Sequence, residues 1–202
     1  MKRYLLPIAL ASLLSACAQS PVYPPAPASA ANVPDWMYLL GPGDSVNVFV
    51  WGNPEVSGNF PIRPDGMMTM NLVEDLPASG KTPTQLAREI EKILGRYIQD
   101  PIVTVIVAGG VGPYSEQIRV LGQAAKPQTL VYRQGMSLVD VMITVGGISD
   151  FAAGNKASIL RIVDGKPQQF SVRLEDLVKD GDISANVEMR PGDLLIIPES
   201  FF

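Results

Sequence analysis

The single cysteine of the chain is the residue whose position most clearly indicates chemistry. Lys2 and Arg3 form a short positively charged start, and a mainly apolar run over residues 4–14 follows it. Small residues then lead to Cys17, which is the arrangement of a secretory signal peptide. The run is shorter than the roughly 20 apolar residues of a membrane-spanning helix. Because a thiolate is the nucleophile that alkylation requires, Cys17 is the candidate site for lipid attachment.

The sequence Leu14-Ser15-Ala16-Cys17 resembles the lipobox of bacterial lipoproteins. That resemblance implies a signal peptide over residues 1–16 and a diacylglyceryl group on the Cys17 sulfur. Two or more acyl chains anchor a protein stably, where one does not. Ala18 stands where inner-membrane lipoproteins carry Asp, so the resemblance implies an outer-membrane anchor with the folded part in the periplasm. The other interpretation is a secreted protein with an incidental cysteine.

Composition disfavours most catalytic and metal-dependent functions. The 202 residues include no histidine and one cysteine, which excludes a Ser-His-Asp triad, histidine metal ligands and a thiolate cluster. A glycosidase needs two carboxyl groups held about 5 to 9.5 Å apart. Asp65, Asp100 and Asp150 are candidates, but each stands in a turn or cap sequence that explains it without catalysis. We therefore expect no enzyme activity, no cofactor and no metal.

The charge balance disfavours a nucleic-acid partner. The chain has 16 Lys+Arg against 20 Asp+Glu, a net charge of −4, and dispersed basic residues grip a phosphate backbone poorly. An acidic surface would also repel an acidic polymer, unless basic residues such as Arg63, Arg119 or Arg161 face that polymer.

Three aromatic residues near the start of the folded part could stack on sugar rings. Trp36 and Tyr38 are the possible saccharide contacts. Trp51 continues the stretch that contains Val46, Val48 and Val50, so we expect its side chain to be buried beside the first strand.

Residues 35–110 have the pattern of a small α/β domain. Pro42-Gly43-Asp44 indicates a type II turn that leads into an alternating strand over residues 45–50. Residues 60–70 have the pattern of a hairpin whose methionines fill the core.

A helix and a strand complete this domain. Thr82 and Gln85 form a capping box, and apolar residues at helical spacing extend the expected helix to about Tyr97. Residues 102–107 are apolar on both faces apart from Thr104, which indicates an interior strand.

Two segments have the composition of connections. Residues 17–34 are rich in Pro and Ala, cannot build a core, and are expected to be an extended spacer between the lipid and the folded part. Residues 109–113 contain three glycines and are expected to act as a hinge.

Residues 115–202 have the pattern of a second domain. Strands are expected over residues 116–121 and 129–132, and a capping box at Ser137 starts a helix that Gly146-Gly147 ends.

A hairpin and a last strand follow that helix. Asp164-Gly165 indicates the hairpin between strands 157–163 and 168–174, and residues 190–198 form a second Pro-Gly-Asp turn and strand. One helix in the curve of a mixed sheet is a β-grasp-like arrangement, so we expect an α+β chain.

These turn sequences, in this order, resemble one known family. The matching stretches of residues 35–110 are Tyr38 to Asp44, Arg63 to Gly66 and Asp100 to Val105, which resemble the polysaccharide export domain of Wza-type outer-membrane polysaccharide export lipoproteins. The matching stretches of residues 115–202 are Val120 to Gln123, Gly135 to Leu138, Gly146-Gly147 and Arg190 to Asp193, which resemble the soluble-ligand-binding β-grasp (SLBB) domain that follows it.

The resemblance implies a transport component of an exopolysaccharide or capsule export system. Subunits anchored through Cys17 would form a periplasmic ring that guides polysaccharide outward, and such a ring needs a heterologous, closed interface. The implied partners are the polysaccharide, further copies of the chain and an inner-membrane co-polymerase or chain-length regulator.

Larger members of this family also carry a C-terminal amphipathic helix that crosses the outer membrane. Residues 200–202 cannot span about 30 Å of hydrocarbon, so a separate outer-membrane β-barrel is a further expected partner. In size the chain is most similar to the short exporters beside exosortase (PEP-CTERM) exopolysaccharide clusters. The alternative function is a lipid-anchored module that binds saccharide or a partner and does not conduct.

Overall fold

The computed structural model describes residues 23–27 and 36–200, which form an α+β fold with two hydrophobic cores. The first unit (residues 38–109) contains strands β1 (Ser45–Val50), β2 (Gly58–Pro61), β3 (Met67–Met70), β4 (Val73–Pro77) and β5 (Val103–Gly109), with helix α1 (Pro83–Leu94) between β4 and β5. Cys17 lies outside the described residues, so its attachment to lipid stays a prediction.

The first core lies between one face of an antiparallel sheet and α1. The sheet has the order β2-β1-β5, and β3 pairs with β4 beside it. Alternate residues of β1 point inward, and every fourth residue of α1 is buried against them: Val46, Val48, Val50, Leu86, Ile90 and Leu94. Met68 and Met70 fill the same core, as predicted, whereas Met67, for which the same was expected, is half-buried. Each such side chain contributes about 1.5 to 3 kcal/mol when fully buried.

The start of α1 is confirmed and its end is not. The Gln85 amide donates to Thr82 Oγ1 at 3.2 Å, and the Thr82 amide donates to Gln85 Oε1 at 2.9 Å, which is the expected capping box. The helix ends at Leu94 rather than at Tyr97, because the chain turns off at Gly95. The Tyr97 side chain is 63% exposed, so its helical spacing did not indicate burial.

The strand predicted to be interior lies at the edge of its sheet. β5 pairs with β1 on one side, with Val103 and Val105 buried. Ile102 and Ile106 are 62% and 54% exposed on the other face. The prediction was wrong because this sheet has one covered face, so a strand that is apolar on both faces leaves half its side chains in solvent.

The second unit (residues 118–197) is a mixed sheet covered by helices. Its elements are β6 (Ile118–Gly122), β7 (Thr129–Leu130), α2 (Leu138–Val145), β8 (Ser158–Val163), β9 (Lys166–Ser171), α3 (Leu174–Val178) and β10 (Leu194–Ile197). The strand order is β7-β6-β10-β8-β9, with β10 parallel to β6. Two predicted strands were too long, since β7 ends at Leu130 and Leu174 begins α3 instead of ending β9.

Local signals in the second unit are confirmed. The Ser137 amide donates to Asp140 Oδ2 at 2.8 Å in the expected capping box, and Gly146 ends α2 with φ of 79°. Asp164 and Gly165 have φ of 51° and 74°, the two positive values that a type I′ hairpin turn requires.

Part of the segment predicted to be a spacer is bound to the second unit. Residues 23–27 lie along β9, where the Ala26 amide donates to the Ser171 carbonyl oxygen at 3.0 Å. The Ser171 amide donates to the Pro24 carbonyl oxygen at 2.8 Å, and the pairing is parallel. The prediction missed this contact because a proline-rich composition indicates only that a segment cannot form a core of its own. It does not show whether the folded part has a free sheet edge to which the segment can bind.

We predict that Gly41→Ala destabilises the protein by at least about 2 kcal/mol, because it forces overpacking against backbone. A Cβ atom at Gly41 would lie 2.3 Å from Gly112 C and Pro113 N. Gly109→Ala is the matched control, since a Cβ there meets nothing within 4 Å. Urea unfolding followed by circular dichroism should give a lower midpoint for Gly41→Ala alone. Equal midpoints for the two variants would contradict the packing at Gly41.

Candidate functional site

The two Pro-Gly-Asp turns have the same local construction. Gly43 and Gly192 have φ of 91° and 81°, as the third position of a type II turn requires. In each turn the aspartate carboxylate accepts a hydrogen bond from the amide three residues earlier, at 2.9 Å from Gly41 and 2.8 Å from Arg190. Asp44 and Asp193 are both fully buried. Each aspartate side chain therefore stabilises its own turn.

Asp44 also connects the first unit to the segment that leads into the second. Its Oδ1 accepts from the Val111 amide at 2.7 Å and from the Gly112 amide at 3.0 Å. Its Oδ2 accepts from the Tyr38 hydroxyl at 2.6 Å in addition to Gly41. Four donors thus satisfy a carboxylate that would otherwise be costly to bury.

The segment predicted to be a hinge is fixed from both sides. The Gln117 side-chain amide donates to the Val111 and Gly112 carbonyl oxygens, both at 3.1 Å. The Asp44 carboxylate already binds the two amides of the same residues. Because donors and acceptors of residues 111–112 are all engaged, this segment is a rigid joint and the prediction of a hinge was wrong. Gly112 is needed for its positive φ of 66°.

Trp36 and Tyr38 lie at this joint and belong to different cores. The Trp36 ring packs on the second core, edge-to-face with Tyr132 at a centroid distance of 5.0 Å. Its Nε1–H donates to Glu116 Oε2 at 3.1 Å. Tyr38 packs on the first core. Burial, then the hydrogen bond to Asp44, raises the pKa of the Tyr38 hydroxyl well above its usual range, so it stays a donor at neutral pH.

The geometry at the joint leaves little space for a sugar ring. A cavity of about 10 Å³ lies between Trp36, Tyr38 and Tyr132. That volume suits about one water molecule. Both aromatic side chains are thus used to hold the units together, and saccharide contact at Trp36 and Tyr38 stays a prediction.

The aromatic residue expected to be buried is the exposed one. The Trp51 side chain is 69% exposed, and Phe49 on the same strand face is 46% exposed. Their rings are edge-to-face at 6.3 Å. The Trp51 prediction was wrong because side chains alternate along the strand, so position 51 lies on the face opposite to the one that Val46, Val48 and Val50 bury. Phe49, Trp51, Ile102 and Ile106 together form what we call the open aromatic face.

The three basic residues considered for a polymer path occupy different environments. Arg161 is 4% exposed and forms a bidentate pair with Asp193, at 2.9 Å from Nε to Oδ1 and 2.6 Å between the terminal nitrogen and Oδ2. It cannot line a lumen. Arg63 pairs with Asp65 and Asp75, and the pKa of Asp65 is lowered, chiefly by that guanidinium. Arg119 is exposed on β6.

The carboxylates considered for hydrolysis have structural surroundings. Asp65 binds Arg63 and the Met67 amide within its turn, and Asp100 has φ of 47° in the turn before β5. Asp150 is exposed in the loop after α2. Within residues 23–27 and 36–200, no group of three or more His, Cys, Asp or Glu side chains is placed to hold a metal ion.

Comparison with known proteins assigns both units. Residues 32–108 match the model of the polysaccharide biosynthesis/export protein family, and residues 116–197 match the model of the SLBB domain. The first unit is thus a polysaccharide biosynthesis/export domain, and the second unit is an SLBB domain. This confirms the resemblance noted in the sequence, and the fixed joint at residues 111–113 is the connection between its two matched domains.

Two curated relatives of this family are similar along most of the chain. The EPS I polysaccharide export outer membrane protein EpsA of Ralstonia nicotianae is 25% identical over 187 residues, covering 80% of this chain and 47% of the relative. The protein of the same name from Ralstonia solanacearum is 26% identical over 182 residues, covering 78% and 47%. The chain therefore spans about half the length of the curated relatives it matches. Across the part of the chain that the structure describes, no helix has the length and apolar character needed to cross a membrane.

Sequence reasoning found the turn at Asp44 and missed the joint that it builds. Gln117 was not singled out. A buried glutamine beside a glycine-rich segment can donate to backbone carbonyls through its NH₂ group and accept from backbone amides through its oxygen. The adjacent Gly109, Gly110 and Gly112 offered the available signal, since glycines also mark close backbone approach.

We predict that Asp44→Asn lowers the free energy of unfolding by about 2 to 4 kcal/mol. The new side-chain NH₂ group would face hydrogen-bond donors, where a carboxylate oxygen now accepts their hydrogen bonds. Asp150→Asn, at an exposed aspartate, is the matched control and should change stability by less than about 0.5 kcal/mol. Urea denaturation measures both. The interpretation of Asp44 fails if the two variants unfold at the same urea concentration.

Proposed function

We propose that this chain is a ring-forming lipoprotein of an exopolysaccharide or capsule export system. Its folded part stands in the periplasm, anchored to the outer membrane through Cys17. Copies arranged in a ring guide the polysaccharide toward and across the outer membrane, and no bond is broken. The observation that carries the proposal is the ordered pair of matched domains, over residues 32–108 and 116–197. The names of the two Ralstonia relatives support the same role.

The rigid joint favours a ring over a flexible string of modules. In a closed ring every copy uses the same two complementary surfaces. If the joint were flexible, contacts made by the first unit would not determine where the second unit lies. Asp44 and Gln117 hold residues 111–112 through their amides and carbonyls, so both units can contribute to one interface of fixed geometry.

The proposed mechanism is passive guidance, with partners that supply the polymer and its exit. We propose further copies of the chain, an inner-membrane co-polymerase or chain-length regulator, and an outer-membrane β-barrel as partners. Among the three basic residues considered above, Arg119 remains a candidate for facing an acidic polymer, because Arg161 is buried and Arg63 is paired with two carboxylates.

We predict that export depends on the lipid at Cys17. In a strain without a second exporter of this family, deletion of the gene should remove polysaccharide from the medium. The full-length wild-type chain should restore it. A form with an ordinary cleavable secretory leader and Cys17→Ala should reach the periplasm, fold and fail to restore secretion. Polysaccharide is measured in medium, periplasm and cytoplasm.

Each outcome bears on one part of the proposal. Palmitate labelling of the wild-type chain and not of the Cys17→Ala form tests acylation directly. Full secretion by the soluble Cys17→Ala form would support the export role and show that export does not need the lipid anchor. Unchanged secretion after gene deletion would overturn the export role. Imaging of the purified lipidated protein tests the ring.

A second candidate function, a lipid-anchored saccharide-binding module, is favoured by the open aromatic face. Trp51 and Phe49 present a pair of exposed rings without a covering element among the described residues. Exposed apolar patches often mark binding surfaces. A monomer in solution favours this function, and a ring favours export.

We predict that, if this module function holds, Trp51→Ala lowers affinity for the purified polysaccharide about 2- to 10-fold, the effect of losing an aromatic contact of about 0.5 to 1.5 kcal/mol. Tyr97→Ala is the control, because Tyr97 is a similarly exposed ring, at 63%, outside that face. Affinity electrophoresis in gels containing the polymer measures both. Equal mobility of the two variants would remove the module function.

A further inference from the structure

The segment Tyr23–Pro27, hereafter the strap, closes the free edge of the second unit's sheet. β9 is the last strand in the order β7-β6-β10-β8-β9. Ser171 on β9 uses both its amide and its carbonyl to bind the strap, at 2.8 Å to Pro24 and 3.0 Å from Ala26. Ala26 also packs against the second core. The strap is therefore bound by two main-chain hydrogen bonds and an apolar contact.

Proline suits a strand that must end a sheet. Pro24, Pro25 and Pro27 carry no N–H, so Ala26 supplies the strap's donor to β9. A proline-rich outer strand cannot continue the ladder to a further chain. The composition that predicted a spacer is thus also the composition of a terminal edge strand.

The docked strap shortens the chain available between the proposed lipid and the folded part. Tyr23 follows Cys17 by six positions, which reach at most about 22 Å when fully extended. Without docking, the first held residue would be Trp36, nineteen positions after Cys17, and the limit would be about 68 Å. Docking therefore reduces the maximal reach about threefold.

The strap and the joint lie at opposite edges of the same sheet. β9 forms one edge, whereas Trp36 packs on Tyr132 just beyond β7 at the other. Five strands spaced by about 4.8 Å put these edges about 19 Å apart. The nine positions from Pro27 to Trp36 can cover that distance, since their limit is about 32 Å.

We propose that the strap is a clamp that sets the distance between the membrane and the folded part. It holds the β9 edge of the second unit close to the bilayer and leaves the first unit on the far side of the sheet. This proposal rests on the acylation of Cys17 under the proposed function. It assigns a positioning role to residues 23–27, with Ala26 and Ser171 as the contact that matters.

The test uses Ala26→Pro, which removes the strap's amide donor to Ser171. Ala30→Pro is the matched control, because it makes the same substitution outside the docked residues. Each full-length lipidated protein carries one labelled cysteine, at Lys166→Cys, the first residue of β9, or at Lys92→Cys in the first unit. Both are introduced at exposed positions. The proteins are placed in phosphatidylethanolamine/phosphatidylglycerol vesicles that contain a rhodamine lipid as energy-transfer acceptor.

We predict two linked results. Exchange of the Ser171 amide should be about tenfold faster in Ala26→Pro, the effect expected for losing roughly one hydrogen bond. Energy transfer from position 166 should fall in the same variant. In Ala30→Pro, both readouts should equal those of the wild-type chain. In these two proteins, energy transfer should be higher from position 166 than from position 92.

The outcomes separate the clamp from the function on which it rests. Faster Ser171 exchange with unchanged energy transfer would show a docked strap that does not set the distance, and would overturn the proposal. Unchanged exchange in Ala26→Pro would overturn the clamp itself. Absence of palmitate from the wild-type chain would overturn the anchor and with it the clamp, whereas normal labelling leaves the anchor intact when the clamp fails.

Discussion

A buried carboxylate that must be satisfied by neutral donors determines how the two units are joined. An ionised carboxylate loses several kcal/mol of hydration when it is buried, so its oxygens require donors in fixed positions. Asp44 receives them from Tyr38, from Gly41 in its own turn, and from Val111 and Gly112, which lie 67 and 68 positions further along the chain. All four donors are present only when the start of the folded part, the first turn and the joint are assembled together. The relative placement of the two units is therefore coupled to the folding of the first.

The second Pro-Gly-Asp turn satisfies the same requirement with a cation. Asp193 accepts two hydrogen bonds from the Arg161 guanidinium, and that guanidinium also donates to the Glu188 carbonyl oxygen at 3.1 Å. This pair holds β8 and β10 of one sheet to each other. Loss of one partner would leave an uncompensated buried charge, which commonly costs about 3 to 5 kcal/mol. One short sequence thus builds two different connections, because the groups that surround each carboxylate come from distant parts of the chain.

The features that could be predicted from the sequence depend on neighbouring residues. The capping boxes at Thr82 and Ser137 and the turn at Asp164 are local hydrogen-bond patterns, so the residue types sufficed. The exposure of β5 could not be predicted, since it depends on which face of the sheet α1 covers, whereas the alternation of Val46, Val48 and Val50 already placed Trp51 on the other face. Docking of Ala26 on Ser171 joins residues 145 positions apart, and only the assembled sheet shows that its edge is free. The joint combines a predictable and an unpredictable part. The turn at Asp44 is local, whereas the Val111 and Gly112 amides that donate to Asp44 come from a distant part of the chain.

The positions of the strap and the joint restrict how an anchored export subunit can be arranged. The strap binds the β9 edge, whereas Trp36 at the joint packs on Tyr132, which follows β7 at the other edge of the sheet. Because residues 111–112 are held through both their donors and their acceptors, the first unit cannot swing back toward the strap without breaking the bonds to Asp44 and Gln117. Trp51 is therefore open to a partner without any movement of the joint, whereas Trp36 is half-buried there by its contact with Tyr132 and its hydrogen bond to Glu116.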